Sequence, residues 1–254
     1  MKTNSNTPVS DLPESGQNAD FSIRETLLDV HRFEVVSDAA YAPLDGLAPG
    51  SAEAQARQKE TAERFNLPLE IKTKVVGIRF RLIPSGKFLM GSPKSEIRRN
   101  DDERLHRVAI TQPFYMGVFP VTQAQWERVT GTNPSHFQTT DDSLPVESVS
   151  WKQCVEFCAE MCKVENLPQE TFDLPTEAQW EYACRAGTQT PYHFGDCLTD
   201  AHANIGRIIT VEMQSILRRW FMQSKRSWPE AHLVPASGTC RVGAYQANAY
   251  GLFD

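Results

Sequence analysis

Three helix starts written in the same grammar constrain this chain more than any other feature. Thr122 with Gln125, Ser150 with Gln153 and Thr176 with Gln179 each pair a hydroxyl cap with a glutamine three residues on. In such a capping box the hydroxyl accepts from the backbone N–H at the third helical position, and the glutamine reaches back to the N–H of the cap. Val121 with Trp126, and Pro175 with Trp180, occupy the positions that staple the entering chain to the first turn. The third helix is signed at both ends: Glu177 suits the positive end of the helix dipole, and Gly187 can take the left-handed stop. Trp180, Ala183, Cys184 and Gly187 recur at helical spacing and predict its apolar stripe. The 26-residue step between the second and third caps does not continue, so the chain is not a repeat array.

Ahead of these helices the period changes to two. Ile78, Phe80 and Leu82 alternate with Arg79 and Arg81, which predicts a half-buried strand. Pro84-Ser85-Gly86-Lys87 reads as a turn and Phe88-Leu89-Met90 as the returning arm of a hairpin. His106 to Thr111 and Pro113 to Phe119 predict two more strands. The acidic triplet Asp101-Asp102-Glu103, in the charged run between them, reads as a solvated loop. Short strands, short helices and loops rich in Asn, Pro and Ser describe an α+β domain over residues 75–254.

Residues 1–74 read as a weakly structured acidic lead-in. Ser22 to Val30 predicts one helix, Pro43 to Gly46 a turn, and 51–66 a short surface helix capped by Ser51. Over residues 1–70 twelve acids face six bases, a difference equal to the net charge of the whole chain, −6. That acidity argues against nucleic acid as a partner. The first twenty residues hold no apolar core of a signal peptide, and no apolar run approaches the roughly 20 residues of a membrane span. A soluble, cytoplasmic protein is the expectation, with its six cysteines as thiols. Cys154, Cys158 and Cys162, at i, i+4 and i+8, predict a packed stripe, since no second ligand pair of zinc-like spacing follows.

Six pieces in order carry a resemblance. They are Pro84-x-Gly86-x-Phe88-x-Met90-Gly91-Ser92, then Pro120-Val121-Thr122, and Pro145-Val146-x-x-Val149-Ser150-Trp151. Leu174 to Gly187 follows, then Phe194-Gly195-Asp196 with Ala203-Asn204-Ile205, and finally Val242 to Asp254. Together they resemble the formylglycine-generating enzyme (sulfatase-modifying factor) family. The resemblance implies a single α+β domain related to C-type lectins. It also implies oxidation of a cysteine in a sulfatase Cys-x-Pro-x-Arg motif to formylglycine, with molecular oxygen and with copper held by two thiolates. Thiolates are the soft ligands that Cu(I) prefers.

The family pattern continues past a segment like Asn248 to Asp254 into a Gly-Asn-Val-Trp-Glu-Trp motif and then the catalytic cysteines, so those are expected beyond Asp254. None of Cys154, Cys158, Cys162, Cys184, Cys197 and Cys240 matches them, and no catalytic residue is assigned. Asp173 stands where the family usually has Arg, and 206–237 reads as an insertion with a basic amphipathic helix over Ile216 to Phe221. By resemblance calcium is possible at Asn204, through its side chain, and at Ile205, through its carbonyl. Calcium normally takes six to eight oxygen ligands, and only Glu212, Glu230 and Asp254 supply carboxylates downstream.

Two expectations of different class follow. One is a formylglycine-generating oxidase acting on a sulfatase polypeptide, inactive as these 254 residues and marginally stable, with apolar edges exposed. The other is a non-catalytic lectin-like binding domain on the same scaffold. The related iron-dependent sulfoxide synthases require a histidine set, whereas the six histidines here stand singly.

Overall fold

The computed structural model describes residues 29–36, 50–96, 99–204 and 238–253. After a 3-10 turn at Asp29–Arg32 come β1 (Glu34–Val35), α1 (Ser51–Phe65), β2 (Glu70–Lys72), β3 (Arg79–Ile83), β4 (Gly86–Met90), β5 (His106–Ile110) and β6 (Phe114–Gly117). Then follow α2 (Gln123–Thr130), α3 (Trp151–Val164) and α4 (Glu177–Arg185). β1, β2, β3 and β6 form one antiparallel sheet in that order, and β4 pairs with β5 in a second, two-stranded sheet. The helix expected at Ser22 to Val30 lies outside the described residues apart from its last two. So do the turn at 43–46 and the helix within 206–237.

All three capping boxes form. Thr122, Ser150 and Thr176 each accept from the backbone N–H of their glutamine, and each glutamine bonds back to the N–H of the cap. Each such cap contributes on the order of 1 kcal/mol.

Three expectations need correction. Pro84 to Lys87 does not close a hairpin: β3 pairs with β2 and β6, while β4 pairs with β5, so this turn hands the chain from one sheet to the other. The helix at 51–66 is not a solvated surface helix capped by Ser51. Its cap is Gly50 in a left-handed conformation, and Ser51, Ala54, Gln58, Thr61 and Ala62 are buried. Low hydrophobicity hid this, because the buried face is small and polar. The stripe predicted for α4 is also rotated. Tyr182, Ala183 and Ala186 are buried, whereas Trp180 is 55% exposed and Cys184 and Gly187 are exposed.

Register assigns the large sheet two faces. Residues directly opposite share a face, so Ile71, Phe80, Leu82, Tyr115 and Gly117 point one way, and Glu70, Arg79, Arg81, Ile83, Phe114 and Met116 the other. On the second face Ile83, Phe114 and Met116 pack with Tyr182, Ala183 and Tyr250. On the first, Phe80 meets the cluster of Trp126, Phe157 and Met161, and Leu82 meets Ala62 and Leu67. Trp126 and Phe157 stack at 4.8 Å between α2 and α3, and Phe80 stacks on Phe172 at 5.6 Å. Of the cysteine stripe, Cys162 is fully buried and Cys154 and Cys158 partly so.

Candidate functional site

The distant pieces of sequence meet around α4. Asn248 is buried, and its amide donates to the carbonyls of Ala183 (2.8 Å) and Cys184 (3.1 Å). Its Oδ1 accepts from the N–H groups of Tyr250 (3.0 Å) and Leu252 (3.2 Å). One asparagine thus satisfies the open carbonyls at the end of α4 and shapes the turn of the C-terminal segment. Tyr250 is fully buried and its hydroxyl donates to that of Tyr182 at 3.2 Å; burial raises the Tyr250 phenol well above its ordinary value.

Other contacts extend the same knot. Glu181 accepts from the Gly91 N–H (2.9 Å) and from Arg185 (2.8 Å), and Arg185 donates to the Gly91 carbonyl (3.0 Å). Gln58 of α1 donates to the carbonyls of Leu82 (2.7 Å) and Tyr250 (3.2 Å). The ends of α1 and α4 touch backbone to backbone: a Cβ on Gly187 would lie 2.5 Å from the Gly50 carbonyl oxygen. Beneath lies a buried ionic group, Glu70 with Arg81 (3.1 Å) and with Arg79. Alternation had placed both arginines outward; a carboxylate at Glu70 lets Arg81 sit inside.

On the opposite face of the sheet an apolar cleft of about 750 Å³ opens between β6 and the α2–α3 layer. Phe80, Tyr115, Phe119, Trp126, Phe157 and Phe172 are among the residues that line it. Asp173 lines it beside Cys158. Burial and then that carboxylate push the Cys158 thiol up to about 11. Burial also raises the thiol of Cys154. The thiolate is the form that binds metal, and burial works against it at these positions.

Asn204 lies on the surface, where its side-chain amide donates to the Gly238 carbonyl at 3.0 Å. Ile205 lies outside the described residues. Among the described residues no three His, Cys, Asp or Glu side chains converge. Among the described residues, therefore, Asn204 is not joined by the carboxylate cluster that calcium normally takes. Nearby, Phe194 stacks on Tyr192 (5.4 Å) and His202 (4.0 Å), a surface aromatic group that spacing did not reveal.

No described helix is long and apolar enough to cross a membrane. Comparison with known proteins gives one consistent direction. A family described as sulfatase-modifying factor enzyme 1-like domain matches residues 72–254. The formylglycine-generating enzymes of Mus musculus and Bos taurus are 26% and 27% identical over 223 residues, 68% of this chain and 54% of each enzyme. A chaperone protein, LppX of Paenibacillus barcinonensis, is 34% identical over 107 residues, 30% of this chain and 38% of that protein. The chain spans about half or less of the length of these relatives. Among solved structures, PvdO from Pseudomonas aeruginosa aligns with a TM-score of 0.53 at 20% identity, over 73% of this chain and 69% of that one. The fold is accordingly the α+β fold of that group, and with the family model matching residues 72–254, which include α4 and the C-terminal segment that meets it, the chain belongs to the sulfatase-modifying factor enzyme 1-like domain family.

Proposed function

We propose that the chain forms the scaffold of a formylglycine-generating oxidase-like protein, one that converts the cysteine of a Cys-x-Pro-x-Arg segment in a sulfatase polypeptide to formylglycine. The observation that supports this reading is the knot itself. The pieces that match the family (84–92, 174–187 and 242–254) are those that converge on α4 through Asn248, Tyr250 and Glu181. The copper of such a reaction needs two accessible thiolates, and Cys154 and Cys158 are partly buried on the packed stripe of α3. The reading therefore assigns the metal to ligands other than these, and calcium, if used, to a site that Asn204 enters only in part.

The test compares two proteins, each given copper, oxygen and a Cys-x-Pro-x-Arg peptide, with the aldehyde trapped by hydroxylamine and read by mass spectrometry. Residues 1–254 alone leave the peptide unchanged, and the protein expressed from its own gene, whatever its length, converts it. Conversion by the full product that is lost in the Cys154→Ser and Cys158→Ser variants would sink the assignment of these thiols to packing. The second reading, a binding domain without chemistry, is favoured by the open apolar cleft. Failure of the full, folded product to convert the peptide would select it.

A further inference from the structure

We propose that the cleft beside β6 is a docking site for an extended, uncharged polypeptide strand of a separate protein, added edge-on to the large sheet. Three observations meet there. First, β6 is the last strand of its sheet, and no described strand pairs with its outer edge. Val118 donates to the Arg79 carbonyl, so Phe114, Met116 and Val118 turn their backbone groups toward β3. By alternation Tyr115 and Gly117 turn theirs away, and their N–H groups meet no partner among the described residues. Second, the cleft is lined from both faces of this strand, by Phe114 as well as by Tyr115 and Gly117. The cleft runs from the sheet face at Ile71 and Phe80 out to this last strand, so its open end lies along the edge. Third, Gln112 lines the same cleft, and its carbonyl oxygen is buried without a partner.

These features ask for backbone, not merely for grease. Outward N–H groups want a carbonyl, and the Gln112 oxygen wants an N–H; an extended chain supplies both at regular spacing. Apolar walls require alternate side chains without charge, and Asp173 is the only carboxylate among the lining residues, so an acidic segment is disfavoured. A strand of about six residues is roughly 20 Å long, and a volume near 750 Å³ lies in the usual range for bound organic matter. The C-terminal segment meets the chain just past β6. Phe253 donates to the Val118 carbonyl (2.9 Å), and its ring lies 4.9 Å from Phe119, which lines the cleft. The proposal stands whether or not the oxidase reading holds.

The probe is a capped peptide of six residues alternating Thr and Val. Hydrogen exchange of the Tyr115 and Gly117 amides, followed by NMR on residues 1–254, is expected to slow about tenfold or more when the peptide binds. Gly117→Pro removes one outward N–H without touching a bond to β3, a substitution that edge strands tolerate. It should leave the unfolding midpoint near that of the parent and abolish the protection at Tyr115. Val149→Lys, placing a charge on the lining, should do the same. Unchanged exchange, or equal binding by Gly117→Pro, would overturn the proposal. So would protection of both amides before peptide is added, whether a second copy covers the edge or, in the product of the full reading frame, the protein's own chain does.

Discussion

The two faces of the large sheet are built on different physics. Toward α4 and the C-terminal segment, contact is specific: the asparagine at 248 bonds both elements, the tyrosines at 182 and 250 share a hydrogen bond, and a buried carboxylate holds Arg81. Toward α2 and α3, contact is made of stacked rings and capped helix ends, and a cleft remains. Polar groups in a dry interior cost several kcal/mol when left alone, so the first face tolerates little change. Ring stacks are less directional, and the second face can accept a further layer. The face with polar specificity keeps the architecture, and the face with apolar generality has room for a partner.

The largest expected effect tests the first half of that contrast. Glu70→Ala removes the carboxylate that holds Arg81, which is itself only 7% exposed. A loss of roughly 3–5 kcal/mol in urea unfolding is expected, and a loss below about 1 kcal/mol would mean that the ionic group is not central. Next comes Asn248→Ala, which strips donors from two carbonyls and an acceptor from two N–H groups. It should cost roughly 2–3 kcal/mol.

A smaller effect appears with alkali. The Tyr250 phenol is raised in the folded protein, so the folded state keeps a proton that the unfolded state releases. Its contribution is complete below the unfolded value of about 10 and fades as pH rises past it. Unfolding midpoints of the parent chain should fall more steeply above pH 10 than those of Tyr250→Phe; parallel slopes would remove the phenol from the account. The smallest pair crosses the divide. Thr176→Ala on α4 and Thr122→Ala on α2 should each cost about 1 kcal/mol, because a cap is local and indifferent to which face its helix serves. A several-fold difference between them would blur the contrast.

How much of this was legible depended on the range of the forces. Capping boxes are written within four residues, and all three formed as read. The strands at 106–111 and 113–119 were legible from local alternation. Partner choice was not: nothing near Pro84 tells the chain to leave one sheet for the other, since the decision lies with β5 and β6. Arg81 looked like a solvent-facing residue because its carboxylate stands eleven positions away. For α4, Trp180 and Cys184 were the natural choices for a core by hydrophobicity, yet beside the expected Ala183 the space near Phe88 and Tyr250 admits Tyr182 and Ala186 instead. At the candidate site the ordered pieces pointed to the family, but the cleft was invisible, because its walls come from β3, β6, α2, α3 and the 171–174 loop together.

The bond from Gln58 to Tyr250 crosses 192 positions of sequence. That one contact sets a clock. The helix that carries Gln58 leaves the ribosome long before its last partner exists, and until then its buried amide lacks the second of the two carbonyls it bonds. Closing so long a loop is slow, and partly assembled chains with open edges are prone to associate. The domain is thus one that completes late in synthesis, and conditions that slow the arrival of the segment around Tyr250 should lower soluble yield before they alter the stability of molecules that have finished.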